Sequence, residues 1–174
     1  MLDENIRLRA VEPEDINTLY ELENKMELWV ASETLVPFSR FQLKQYIASM
    51  NNDIYENKEL RLIVEIDHND QKAVAGIIDL FDFDPFHNRA GVGIIVNKKF
   101  QNRGVASKAL ELLIKYSFQH LGIHQLYCSV ITSNKASVKL FENKGFTLMG
   151  TRKEWRKVAN KYEDEFMYQL INNQ

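Results

Sequence analysis

Residues 101–106, of sequence Gln-Asn-Arg-Gly-Val-Ala, constrain the fold most, because they join two strongly patterned stretches. An apolar run typical of a strand, residues 90–96, comes before them, and apolar residues at helical spacing, residues 105–121, come after them. The segment is therefore a short polar turn, with Gly104 just before the helix. Such a turn presents the unpaired N–H groups of the first helical turn at the positive end of the helix dipole. It predicts a site for phosphate oxygens, which a glycine lets the backbone approach closely.

The other patterns give the element order β-α-α-β-β-β-α-β-α-β-β. Hairpins that precede a β-α-β unit predict an α/β fold with a mixed, mostly antiparallel sheet and helices on both faces. We expect one domain over residues 1–174, since no linker or repeat interrupts the pattern. Pro13 starts a helix that continues to Met26, and Ser39 with Gln42 fits a capping box at the start of the next helix. The predicted strands are residues 6–10, 60–66, 73–81, 89–96, 125–131, 146–154 and 163–170, with loops at 29–37 and 156–162.

Composition narrows the class of protein. The formal net charge of −2 supplies no basic field for nucleic acid or an anionic membrane. No apolar run is long enough to span a bilayer, and the first residues lack the features of a signal peptide. A single cysteine, Cys128, excludes an internal disulfide, and no spacing of ligand residues resembles a metal site. We expect a cytoplasmic protein without metal, nucleic-acid or membrane partners.

Two motifs, taken together, resemble those of the GCN5-related N-acetyltransferase (GNAT) family. Residues 101–106 fit its Gln/Arg-x-x-Gly-x-Gly/Ala signature, and residues 134–146 resemble its second motif, an Asn-headed helix that closes on Gly-Phe. One helix and one strand separate the motifs, as in the family, and the element order of the whole chain agrees. Residues 6–15 resemble the opening of the branch that contains spermidine and ribosomal-protein acetyltransferases. The resemblance implies a GNAT fold whose sheet splays between the fourth and fifth strands.

The resemblance also implies acetyl-CoA as the co-substrate, which enters at the splay. In the family, the central strand pairs with the pantetheine arm, the glycine turn holds the pyrophosphate, and the second-motif helix lies along the thiol end. Carried onto this sequence, the cofactor-binding residues are Ile94, Ile95, Val96, Gln101, Asn102, Arg103, Gly104, Val105, Ala106, Ser107, Asn134, Lys139 and Phe141.

One position departs from the family pattern. A tyrosine commonly precedes the acidic residue of the second motif and protonates the leaving thiolate, but this chain has Phe141 there. Phenylalanine cannot donate a proton, so three possibilities stay open. Water or the product ammonium protonates the thiolate, or another hydroxyl does so, or the protein binds CoA without turnover. The hydroxyl candidates are Tyr162, Tyr127 and Ser137.

The acceptor side is less defined. Asp79 and Asp82 flank the end of a predicted strand beside the expected acceptor cleft, where they would accept a proton through water or attract a cationic amine. Glu33 lies in the loop between the first helices, which in the family often shapes the acceptor site, and there it would suit a cationic amine. Each of the three acids is equally consistent with a solvated loop position.

The sequence therefore predicts an N-acetyltransferase that acts by direct attack in a ternary complex, because no activated nucleophile is present. A polyamine or another small amine is the favoured acceptor, with a protein N-terminus as the alternative within the enzyme class. A non-catalytic acyl-CoA-binding module is the alternative outside it, supported by Phe141. A homodimer is common in the family and is possible here.

Overall fold

The computed structural model describes residues 5–32, 34–51, 53–68 and 71–173. Within those residues the chain forms seven strands and six α-helices. The strands are β1 (Ile6–Ala10), β2 (Leu60–His68), β3 (Gln71–Asp84), β4 (Arg89–Val96), β5 (Gln125–Ile131), β6 (Thr147–Val158) and β7 (Lys161–Ile171). The helices are α1 (Ile16–Glu23), α2 (Met26–Ser32), α3 (Arg40–Ser49), α4 (Ile54–Asn57), α5 (Val105–Gln119) and α6 (Lys135–Asn143).

All seven strands form one sheet, in the order β1-β2-β3-β4-β5-β7-β6. Among the strands of the described residues, only β4 and β5 pair in parallel, and that pairing covers three residues of each strand, from Arg89 opposite Gln125 to Gly91 opposite Tyr127. The other neighbouring strands are antiparallel. The mixed, mostly antiparallel sheet and its splay between the fourth and fifth strands are therefore as predicted.

Helices cover both faces of the sheet. On one face, α5 packs Ala109, Leu110 and Leu113 into the larger of two apolar clusters, and all three side chains are fully buried. On the other face, Leu19 and Leu22 of α1 and Leu43 of α3 pack against Ile63 and Ile77 of the sheet. Burial of apolar side chains on both faces is the main stabilising contribution to such a layered fold.

The N-terminal helices differ from the prediction. The first helix ends at Glu23. The side chain of the next residue, Asn24, donates a hydrogen bond to the carbonyl of Phe38 and accepts one from its N–H group, which holds the chain at the point where it leaves the helix. Met26 starts a separate helix, α2, which takes up part of the segment predicted as a loop. The capping box of Ser39 and Gln42 at α3 is confirmed.

The C-terminal hairpin is longer than predicted. Strands β6 and β7 pair up to Val158 opposite Lys161, so only two residues connect them. Arg156 and Tyr162, predicted to lie in a loop, are strand residues. Ala159, in the tight turn, has a φ of 53°, a conformation that the sequence does not signal with glycine.

A buried ion-pair network fixes the start of α1 against the sheet. Arg9 on β1 donates two hydrogen bonds to Asp15, at 2.7 and 2.8 Å, and one to Glu65 on β2, at 2.8 Å. Asp15 also accepts from the backbone N–H of Glu12 at 2.8 Å, and its side chain is buried. Burial alone would raise the pKa of Asp15, but the hydrogen bonds from Arg9 and Glu12 outweigh it and hold the pKa below its ordinary value.

Within residues 5–32, 34–51, 53–68 and 71–173, no helix is long and apolar enough to cross a membrane. The same residues contain no group of three or more His, Cys, Asp or Glu side chains that could hold a metal ion.

Candidate active site

The splay of the sheet creates a cavity of about 410 Å³, which we call the interstrand cavity. Strands β4 and β5 separate beyond Gly91 and Tyr127, so the rest of β4 has no strand partner on its β5 side. Backbone groups along that edge are therefore available to a ligand that enters between the strands. The cavity is lined by residues of β4, β5 and α6, among them Val92, Ile94, Cys128, Val130, Asn134 and Phe141.

An aromatic pair spans the mouth of the splay. The ring of Phe81 on β3 lies over β4, where a Cβ atom on Gly91 would come within 2.3 Å of it. Gly91 is therefore required for this close approach. The Phe81 ring meets Tyr127 of β5 edge to face, with 6.2 Å between centroids. Burial raises the pKa of Tyr127, so its hydroxyl keeps its proton at neutral pH.

The predicted phosphate turn has the geometry of an anion site. Asn102 and Gly104 both have positive φ, 59° and 82°, and Gly104 caps α5. The first helical hydrogen bond runs from the N–H of Lys108 to the carbonyl of Gly104, so the N–H groups of residues 105–107 precede it. A Cβ atom on Gly104 would meet nothing within 4 Å, which leaves room for a ligand against the backbone.

One end of this turn is joined to β4. The side-chain amide of Gln101 donates to the carbonyl of Val96 at 3.0 Å, which ties the turn to the end of the strand. Arg103 is exposed on the same turn, with its guanidinium 5.8 Å from the centre of the Phe100 ring. The strand end, the turn and the start of α5 thus form one continuous surface.

Helix α6 closes the interstrand cavity. Its N-cap, Asn134, accepts a hydrogen bond from the N–H of Ser137 at 3.1 Å, and both residues line the cavity. Phe141 also lines it, while its buried ring packs edge to face on Phe146. Lys139 is exposed on α6 and is not among the lining residues.

A second cavity, of about 430 Å³, lies between the sheet and the N-terminal helices. Four of its described lining residues are charged, and three of the four are acids: Glu23, Asp79, Asp82 and the cation Arg61. We call it the acidic cavity. It shares Phe81, Asp82, Gly93 and Ile94 with the interstrand cavity, so the two meet at β4.

Arg61 organises the wall of the acidic cavity. It donates two hydrogen bonds of 2.9 Å to the carboxylate of Asp79 and one of 2.6 Å to Glu23. Glu23 is 7% exposed, and burial raises its pKa even though Arg61 opposes that shift. Both oxygens of Asp79 are therefore engaged by Arg61, and its roles as a proton acceptor or in attracting a cationic amine stay predictions.

The other predicted acceptor-side residues lie in different surroundings. Asp82 is exposed, has a φ of 48° at the irregularity where β3 leaves its register with β4, and lines both cavities. Tyr162 is 62% exposed near the tip of the β6–β7 hairpin and is not among the residues that line either cavity. Glu33 lies outside the described residues.

Several lining residues were not singled out from the sequence. Glu23 follows Leu19 and Leu22 on the buried face of α1. An acid at a position where the helical spacing predicts an apolar residue was the signal that could have indicated a functional role. Arg61 likewise interrupts an apolar strand. Arg152 and Arg156 line the interstrand cavity and share the buried Glu165. The sequence predicted Arg152 in a strand and Arg156 in a loop, and it gave no signal of their role.

Comparisons with known proteins agree with this geometry. Residues 5–147 match the family described as "Acetyltransferase (GNAT) domain". The spermidine N(1)-acetyltransferase of Vibrio cholerae is 28% identical over 166 residues, 94% of this chain and 91% of its own length. A crystal structure of spermidine N-acetyltransferase from Vibrio cholerae in complex with CoA and spermine superposes with a TM-score of 0.85 at 26% identity, and covers 95% of each chain. A dodecameric structure of that enzyme in an intermediate state has a TM-score of 0.78 at 28% identity, over 95% of this chain and 93% of the other.

The family match spans most of the chain, so the protein belongs to the GNAT acetyltransferase family. The resemblance seen in residues 101–106 and 134–146 is thereby confirmed. The protein is an acetyl-CoA-dependent N-acetyltransferase, as predicted.

Proposed function

We propose that this protein transfers the acetyl group of acetyl-CoA to a primary amine of a polyamine. The observation that carries the proposal is the meeting of the two cavities at Phe81, Asp82, Gly93 and Ile94. The interstrand cavity is lined by β4 as far as Ile94, two residues before that strand ends at Val96, and the acidic cavity offers carboxylates to a cation. A thioester brought along the first and an amine brought along the second would meet at β4.

The donor side fits CoA by its chemistry. The unpaired edge of β4 at residues 94–96 would hold the amide groups of the pantetheine arm, as one strand holds another. The N–H groups of residues 105–107, with the charge of Arg103 beside them, would hold the pyrophosphate. Asn134 would meet the pantetheine end, because its side chain has both donors and an acceptor. The roles of Gln101, Asn102 and Lys139 stay predictions.

The reaction needs only groups that the two cavities supply. The neutral amine nitrogen attacks the thioester carbonyl carbon, the C–N bond forms, and the C–S bond then breaks to release the CoA thiolate. The nitrogen loses one proton and the thiolate gains one. Asp82 lines both cavities and is the carboxylate best placed to accept the amine proton through water.

The proton for the thiolate has to come from a group other than Phe141. Tyr127 and Ser137 carry hydroxyls that line the interstrand cavity, whereas Tyr162 lines neither cavity. Cys128 lines it too, but burial raises the pKa of its thiol, as it raises the pKa of the Tyr127 hydroxyl, so neither group releases a proton readily. We propose that water or the product ammonium supplies the proton, with the hydroxyls of Tyr127 and Ser137 as the alternatives within the protein.

The charge of the acidic cavity supports a polycationic acceptor. Its described wall holds three carboxylates against one guanidinium, so it attracts and retains cations. The relative crystallised with CoA and spermine adds support from outside the chain. Glu33 stays a predicted member of the same wall.

An amine panel tests the proposal. Release of free CoA thiol is measured with polyamines, amino acids, aminoglycosides and N-terminal peptides at saturating acetyl-CoA. We expect spermidine and spermine to give the highest kcat/KM. A preference for N-terminal peptides would establish the alternative acceptor. CoA binding by calorimetry without turnover on any amine would establish the non-catalytic module.

Assembly and location are separate from the chemistry. One Vibrio cholerae relative has a dodecameric solved structure, and multimers of this chain are a proposal that light scattering tests. The homodimer and the cytoplasmic location predicted from the sequence stay predictions.

A further inference from the structure

The cluster of Glu23, Arg61 and Asp79 carries an uncompensated charge at the wall of the acidic cavity. Arg61 donates to both oxygens of Asp79, from Nε and Nη2, and to Glu23 from Nη1, at 2.6 Å. Two carboxylates therefore share one guanidinium, and the cluster has a net charge of −1 when both carboxylates are ionised. Arg61 is the only cation among the described residues that line this cavity.

Of the two carboxylates, Glu23 receives fewer hydrogen bonds from Arg61 than Asp79 does. Arg61 reaches it through a single hydrogen bond, to Oε1, and no hydrogen bond to Oε2 is present within the described part of the chain. Its side chain is 7% exposed, so water does little to stabilise the charge. A second cation in the cavity would balance this charge, because two cations would then face two carboxylates and the cluster would be neutral.

The backbone holds Glu23 rigidly in that position. It is the last residue of α1, and its carbonyl accepts a hydrogen bond of 2.8 Å from the indole N–H of Trp29 on α2. Leu19 and Leu22 on the same helix are fully buried against the sheet. A carboxylate fixed in this way is preorganised for a ligand, because little side-chain entropy remains to be lost on binding.

We propose that Glu23 is a specificity-determining residue, which binds a cationic nitrogen of the acceptor other than the one that is acetylated. This inference rests on the proposed function and adds to it the group that selects diamines and polyamines over monoamines. The reacting nitrogen lies where the two cavities meet, at Gly93 and Ile94, and the second nitrogen lies at Glu23. Arg61 and Asp79 act as positioning residues for this carboxylate.

The test compares 1,4-diaminobutane with 1-aminobutane, which differ by the second amine. Wild-type protein is expected to show a lower KM for the diamine. Glu23→Gln keeps the shape and removes the charge, and it should raise KM for the diamine roughly tenfold or more while KM for the monoamine changes little. Glu21→Gln, an exposed position on the same helix, is the matched control and should change neither value.

Three outcomes would overturn the inference. They are equal KM values for the two amines in wild-type protein, an unchanged diamine KM in Glu23→Gln, or equal losses for both amines. Thermal unfolding shows whether Glu23→Gln folds. If it does not, the inference is tested by the two amines with wild-type protein and with Glu23→Asp, whose shorter carboxylate should retain part of the preference for the diamine.

A failure of the proposed function can be distinguished from a failure of the cation site at Glu23. If wild-type protein acetylates neither amine, calorimetric titration of spermine into the CoA-saturated protein replaces the kinetic assay. Binding that weakens roughly tenfold in Glu23→Gln but not in Glu21→Gln would support the cation site even without turnover. Equal binding to both variants would overturn it.

Discussion

A pair of substitutions at Gly104 separates the charge of the phosphate turn from its backbone conformation. Gly104 has a φ of 82°, which asparagine and aspartate tolerate better than other side chains. Gly104→Asn and Gly104→Asp have nearly the same shape and differ by one negative charge. A Cβ atom there meets nothing within 4 Å, so neither side chain collides with the protein itself.

The expected difference follows from Coulomb's law. With a carboxylate about 5 Å from a bound phosphate and an effective dielectric constant between about 20 and 80, the repulsion is about 1–3 kcal/mol. This corresponds to a Kd for CoA roughly fivefold to a hundredfold weaker in Gly104→Asp than in Gly104→Asn. Isothermal titration calorimetry measures both constants, and the gap should narrow as salt rises from about 0.05 to 0.5 M. Equal affinities of the two variants at low salt would refute the assignment of this turn to the CoA phosphates.

Two further predictions concern the missing acid and the ion pair at the start of α1. Phe141→Tyr should raise kcat about two- to tenfold, because it restores a proton donor for a thiolate that already leaves readily; an unchanged or lower kcat at normal thermal stability would contradict this. Asp15→Asn should lower the free energy of unfolding at pH 7 by about 2–3 kcal/mol, since it breaks charged hydrogen bonds of a buried side chain. The folded-state pKa of Asp15 is below its unfolded value of about 3.9, so its stabilisation is present above that pH and is lost as the pH falls toward the folded pKa. Urea unfolding at a series of pH values should therefore show the two proteins converging below about pH 4, and a constant gap would contradict the assigned pairing.

The sheet and the donor side could be predicted from the sequence because their signals are local. The strand at residues 89–96, the glycine turn and the helix that starts at Val105 follow one another directly, and each has its own pattern. Asn134 caps its helix through a side-chain hydrogen bond that the sequence already suggests. These elements need no tertiary information to be recognised.

The acceptor side could not be predicted in the same way, because its residues meet only through the fold. Glu23, Arg61 and Asp79 come from α1, β2 and β3, and nothing local indicates that one guanidinium joins them. The sequence therefore left the role of Asp79 open between proton acceptor, attraction of a cation and a solvated loop acid, and it did not indicate that both oxygens bind Arg61. The break between α1 and α2 depends on Asn24 and Phe38, fourteen residues apart, and was missed for the same reason.

The most direct measurement follows an isotopically labelled acetyl group from acetyl-CoA in the presence of spermidine. The account predicts that the label appears in an amide on a primary nitrogen of the polyamine, in a one-to-one ratio with released CoA. It also predicts that no label stays on the protein in the absence of the amine. Label bound to the protein would contradict direct transfer in a ternary complex. Tight binding of acetyl-CoA with no labelled polyamine would contradict the meeting of the two cavities as an active site.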